Sequence, residues 1–150
     1  MTVASGRTAR ERAMRTLNRF AGKTLRMLGK TGAGVEISLI SEADMREIER
    51  RTLGREKKVL NVLAFPEPTG FPHPETKKEF LGEIYVNWER YGSRPSELAY
   101  LMVHGLLHLL GYRHGRKNDM MAMYRLERRV LERLGVRQRL SHDVALDYWS

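Results

Sequence analysis

The 150-residue sequence contains no cysteine. Disulfides and thiolate metal ligands are therefore excluded, and any metal must be held by His, Asp or Glu. No apolar run approaches the roughly 18 residues needed to cross a bilayer, and the N-terminal segment lacks the hydrophobic core of a secretory signal. The expectation is a soluble, cytoplasmic protein with no membrane partner. The first thirty residues also have the Arg-rich, nearly acid-free composition of an organellar transit peptide, but their periodicity reads better as a structural helix. Proline is scarce, and Pro66, Pro68, Pro72 and Pro74 make up four of the five. They confine residues 66–79 to a loop, because proline cannot donate to a strand ladder.

Acidic residues are in the minority, 18 against 27 Lys and Arg, which gives a formal charge of +9. A field of that sign attracts polyanions, and nucleic acid is the leading partner class. Residues 1–30 hold eight basic side chains with Glu11 as the sole acid, and residues 113–139 hold nine with three acids. Two basic surfaces are expected, although solvated helix faces have a similar composition. The length suits one domain spanning residues 1–150.

Met14, Leu17, Ala21, Leu25 and Leu28 recur at helical spacing, which predicts an amphipathic helix over 8–29 that ends near Gly29. Val35–Ile40 reads as a strand. Ser41 and Asp44 resemble a capping box ahead of a helix over 42–53. Val59–Phe65 reads as a second strand, whose apolar run suggests a central place in a sheet. Phe80–Val86 reads as a third. Pro95 and Ser96 open a helix that continues to about Leu110. A last helix, Asp119–Leu134, carries Met123, Leu126, Val130 and Leu134 on one face.

The helix that ends at Leu110 is apolar around most of its circumference, which marks it as buried. Two histidines interrupt it. His104 and His108 are four residues apart, so both rings leave the same face one turn from each other, close enough to share a metal ion. Gly111 permits the left-handed turn that closes helices, so His114 can return to the same point. The pattern H-x3-H-x5-H supplies three ligands and leaves a fourth position open, as catalytic rather than structural zinc sites do. Zinc is the expected ion, one per chain, and its use there would be activation of a water for hydrolysis. Burial of unpaired imidazoles is costly, which favours ligands over incidental core histidines. His73 and His142 lack such a context and read as surface residues.

In the common zinc-peptidase signature H-E-x-x-H, a glutamate follows the first histidine and works as general base. Here that residue is Gly105. Its presence, with the basic charge, turns the reading from peptides towards phosphodiesters.

The run His104-Gly105-Leu106-Leu107-His108-Leu109-Leu110-Gly111-Tyr112-Arg113-His114 resembles the H-G-x-L-H-L-x-G-Y-D-H signature of the YbeY family of bacterial rRNA maturation factors. Asn61-Val62-Leu63-Ala64-Phe65-Pro66 is similar to the family's T-[DN]-V-L-S-F-P strand, and Leu81-Gly82-Glu83-Ile84 to its L-G-[DE]-I strand. Met123 and Glu127 match a Met-x-x-x-Glu spacing in the last helix. The resemblance implies an α+β domain in which helices flank a small mixed sheet, with the metal site on a buried helix and the turn after it. It also implies a metal-dependent, single-strand-specific endoribonuclease that matures the 3′ end of small-subunit rRNA and serves ribosome quality control. His104, His108 and His114 take the places of the family's metal ligands.

The sequence departs from the pattern at several points. Arg113 stands where the signature has Asp, and Leu60 and Ala64 replace a Thr and a Ser. An Arg that the family places seven residues before Asn61 falls on Gly54, with Arg55 one step away. Arg55 and Arg113 are therefore the candidate catalytic cations, able to stabilise charge that develops on a scissile phosphate. Asn61, in an otherwise apolar strand, reads equally as a substrate contact or as a partner for backbone groups, and Tyr112 as a packing residue. Two other readings stand beside the nuclease. One is a non-catalytic assembly factor that holds rRNA and uses the metal only to stiffen the turn; the other is a peptidase or small-molecule hydrolase with Glu83 as its base.

Overall fold

Apolar residues at helical spacing fix the first element of the chain. In the computed structural model, which describes residues 2–54, 60–68, 79–112 and 117–137, α1 runs Thr2–Met27. Leu17, Ala21 and Leu25 are buried along one stripe, and Met14 and Leu28 pack partly beside them. The helix starts ahead of the predicted residue 8. No proline interrupts residues 2–7, and propagation costs little once a helix is nucleated.

β1, Gly34–Ile40, follows. The next helix is α2, Glu42–Leu53, where Ser41 Oγ accepts from Asp44 N at 3.2 Å and caps the first turn. β2 is Val62–Pro66 and β3 is Phe80–Asn87. The three strands form one mixed sheet in the order β1-β3-β2. β1 is parallel to β3, with Ile37 opposite Ile84, and β2 is antiparallel to it, with Ala64 opposite Ile84. This is the α+β architecture expected, with two corrections. Pro66, expected in the loop, is the last residue of β2 and lies opposite Gly82, a place an edge strand tolerates. The apolar run of β2 suggested a central strand, but β2 lies at an edge and β3 is central. β2 is apolar because both of its faces are covered. Val62 and Ala64 pack on the main core, while Leu63 and Phe65 join Met45, Ile48, Leu60 and Tyr85 in a second cluster under α2.

Gly82 sits where β3 meets the end of β2. Its φ is +143°, and a Cβ there would come within 2.2 Å of the Phe65 carbonyl oxygen. Only glycine accommodates both the backbone angle and the approach.

A short helix not foreseen in the sequence, α3 (Trp88–Tyr91), grows directly from β3. The buried Asn87 builds this junction. Its Oδ1 accepts from Arg90 N at 3.0 Å, and its Nδ2 donates to the Leu60 carbonyl at 2.9 Å. α4, Pro95–Leu109, is buried continuously from Leu98 to Leu107. It lies between the sheet and the helices α1 and α5, the latter spanning Lys117–Leu134. Met123, Glu127, Val130 and Leu131 form the buried stripe of α5. Among the described residues no helix is long and apolar enough to cross a membrane.

Candidate metal centre

The site is built on the last turns of α4. His104 is buried against the core, 2% exposed, and His108 one turn later is half-buried. Helical geometry places the two rings together: their centroids are 4.7 Å apart at an interplanar angle of 79°, and the two Nε2 atoms approach to 3.2 Å. On its other side His104 Nδ1 lies 2.6 Å from Glu127 Oε1, delivered by α5 and fully buried. The Tyr100 ring stacks 6.0 Å from His104, one turn earlier on α4.

With Glu127 ionised, its oxygen accepts from His104 Nδ1–H, and His104 Nε2 then keeps the lone pair that faces His108. Such a pair of imidazole nitrogens is the donor type that zinc takes, and the 3.2 Å spacing lets both reach one ion. The end of α4 also presents the negative pole of the helix, which favours a cation.

Gly111 closes α4 as the sequence suggested. With φ at +98° it donates to the His108 carbonyl at 3.0 Å, and Tyr112 donates to the Leu107 carbonyl at 3.0 Å. Tyr112 itself is 41% exposed, so it does not pack in the core. His114, Arg113 and Arg55 lie outside the described residues, as do His73 and His142. Among the described residues no group of three His, Asp or Glu side chains could hold a metal.

Gly105 is explained by packing. A Cβ there would meet Ile84 Cγ2 at 3.1 Å and Val62 Cγ2 at 3.4 Å, so the residue after the first histidine is pressed on the sheet. A glutamate at that position would have to displace these side chains. Glu83, the alternative base, is also displaced from the histidines. Alternation along β3 puts Ile84 on the α4 face and Glu83 with Tyr85 on the other, where Glu83 Oε2 accepts from the Tyr85 hydroxyl at 2.8 Å. The peptidase reading thus loses the base it named. Asn61 serves the backbone: its Oδ1 accepts from Val62 N at 2.7 Å and its carbonyl from Asn87 N at 3.0 Å.

Glu127 is the site residue to which sequence reasoning gave no role. Its signal was an acid on the apolar stripe of α5, four residues after Met123, where a charge is tolerated only with a partner.

Residues 4–135 match the family model described as Endoribonuclease YbeY. The chain belongs to the YbeY family. A relative from Nitrobacter hamburgensis, named Endoribonuclease YbeY, is 34% identical over 114 residues, covering 69% of this chain and 60% of its own length. One of the same name from a Chelativorans species is 32% identical, covering 72% and 70%. A third, from Roseiflexus castenholzii, is 38% identical, covering 67% and 69%. The matched stretch thus spans between 60% and 70% of the length of these YbeY relatives.

Proposed function

We propose that this chain is a metal-dependent endoribonuclease of rRNA processing, acting on single-stranded RNA at the 3′ end of small-subunit rRNA and in ribosome quality control. The observation that carries the reading is the convergence of His104 Nε2 and His108 Nε2 at 3.2 Å, with His104 held from behind by Glu127. In a YbeY chain this pair supplies two ligands, and His114 the third. The bound ion, one zinc per chain, would act as a Lewis acid and water activator. The protein's own contribution is to fix the two rings, keep His104 in the Nδ1-protonated form and exclude bulk water from its inner side.

The net charge of +9 supports RNA as the substrate and a salt-dependent contact with its phosphates. Arg55 and Arg113 are assigned to the scissile phosphate, each as a fixed cation. The names of the relatives speak for an enzyme over an assembly factor with a merely structural metal. The whole of residues 1–150 is assigned to one such domain, working in the cytoplasm beside the small ribosomal subunit.

The test is elemental analysis of the purified chain beside a His104→Ala, His108→Ala, His114→Ala variant, followed by cleavage of single-stranded RNA before and after chelation. About one zinc per chain, lost in the variant together with cleavage, is the expected result. Cleavage that survives both treatments would sink the metal reading. Unchanged cleavage in both Arg55→Ala and Arg113→Ala would remove the cation assignment alone.

A further inference from the structure

Away from the histidines, at the other end of α4, the molecule carries a cavity of about 570 Å³. Its walls come from α1, the α3–α4 junction and the residues just after α5. They are largely apolar, with Leu17, Phe20, Leu98 and Val136 among them, and they are bordered by Arg12 and Arg137. Trp88 forms part of one wall and has the Arg10 guanidinium over its ring at 5.7 Å. A hollow of this size and composition suits a pair of aromatic side chains with an acidic flank.

The chain itself supplies such a segment. Val136 and Arg137 line the cavity, and the next thirteen residues, 138–150, contain Leu140, Val144, Leu146, Tyr148 and Trp149. They also hold Asp143 and Asp147 against a single Arg139. That composition is opposite in sign to the α1 rim, where Arg12 lines the cavity and Arg10 lies over the Trp88 ring. Thirteen residues reach roughly 40 Å when extended, ample to fold back on a groove at which the segment already starts. Because the tether is short, the local concentration of the segment is on the order of millimolar, so weak contacts suffice.

We propose that this groove is the docking site of the chain's own segment 138–150, with Tyr148 and Trp149 as the apolar anchors and Asp143 and Asp147 paired with the α1 arginines. The inference stands apart from the nuclease reading and uses none of its residues. Its consequence is that the segment covers a basic, partly apolar surface that would otherwise be open to other anionic partners.

Absence of native cysteine makes disulfide trapping unambiguous. In the full chain, Ser96→Cys places a thiol on the exposed lip of the groove and Ser150→Cys one beside Trp149. The control pairs Ser150→Cys with Arg129→Cys, on an exposed part of α5. Under one mild oxidant, the groove pair should close at least ten-fold faster than the control, at a rate independent of protein concentration. Added Tyr148→Ala and Trp149→Ala should abolish the advantage. Equal rates for the two pairs would overturn the proposal, and so would products that grow with protein concentration, which point to a second copy. A separate arm follows maleimide labelling of the lone Ser96→Cys variant. Protection that Tyr148→Ala and Trp149→Ala relieve supports the proposal. Protection given only by an added single-stranded RNA oligonucleotide identifies a nucleic-acid subsite instead and refutes it.

Discussion

His104 Nδ1 and Glu127 Oε1 lie 2.6 Å apart although 23 residues separate them, and both side chains are buried. The contact joins α4 to α5 and fixes the His104 ring. Outer partners of this kind typically change metal affinity by about 10–100-fold. Glu127→Gln retains an acceptor oxygen but removes the charge, and the zinc dissociation constant is expected to rise within that range in a competition with a chromophoric chelator. Glu127→Ala should weaken binding further. A loss of thermal stability with unchanged zinc affinity would show that the pair only joins the helices.

Gly105 tests how closely α4 is seated on the sheet. Its missing Cβ would lie 3.1 Å from Ile84 Cγ2. Alanine gains about 1 kcal/mol in helix propensity against an overpacking cost of about 1–3 kcal/mol. Gly105→Ala should therefore lose about 1 kcal/mol in a denaturant titration. Gly105→Glu, which would recreate the peptidase signature, is expected not to fold, since it adds a buried unpaired carboxylate. A folded Gly105→Glu protein would contradict the packing described.

Gly82 should be less forgiving. With φ at +143° and a prospective Cβ 2.2 Å from the Phe65 carbonyl oxygen, Gly82→Ala must separate β2 from β3. A cost of at least about 3 kcal/mol is expected. Gly34→Ala is the internal comparison: its nearest neighbour would be Phe80 Cδ2 at 3.8 Å, an ordinary contact. Equal midpoints for the two variants would show that the strands tolerate the side chain.

The parts of this molecule that were legible in the sequence are those set by local periodicity. His104 and His108 were placed on one face by their spacing alone, and the α1 stripe and the Ser41 cap followed the same logic. What depends on distant partners was not legible. The edge position of β2 was hidden because burial on two faces looks the same in sequence whether a neighbour strand or a helix lies beyond. Glu127 could not be paired with His104 without knowing that α5 packs on α4. α3 was missed because its four residues carry no periodic signal; it depends on Asn87, whose side chain caps the helix and ties down Leu60. The expectations for His114, Arg55 and Arg113 rest on the chain's order and on chemistry, outside the described residues.

The opposite face of the sheet gives a prediction that separates fold from function. The Tyr85 hydroxyl donates to Glu83 Oε2 at 2.8 Å. That hydrogen bond, then burial, then the charges of Glu83 and Glu36 raise the Tyr85 pKa from 10.0 to about 12. The folded state holds this proton more tightly than the unfolded chain does. The resulting stabilisation is thus complete below pH 10 and is lost as pH rises to about 12. The difference in phenolate absorbance between the native chain and Tyr85→Phe should titrate near the upper value, and Glu83→Gln should bring it back towards the lower. A Tyr85 midpoint near 10 in the native chain would refute the hydrogen bond. Because Glu83 and Tyr85 lie across the sheet from His104 and His108, Glu83→Gln should leave zinc affinity unchanged. The same variant therefore also asks whether Glu83 takes any part at the metal.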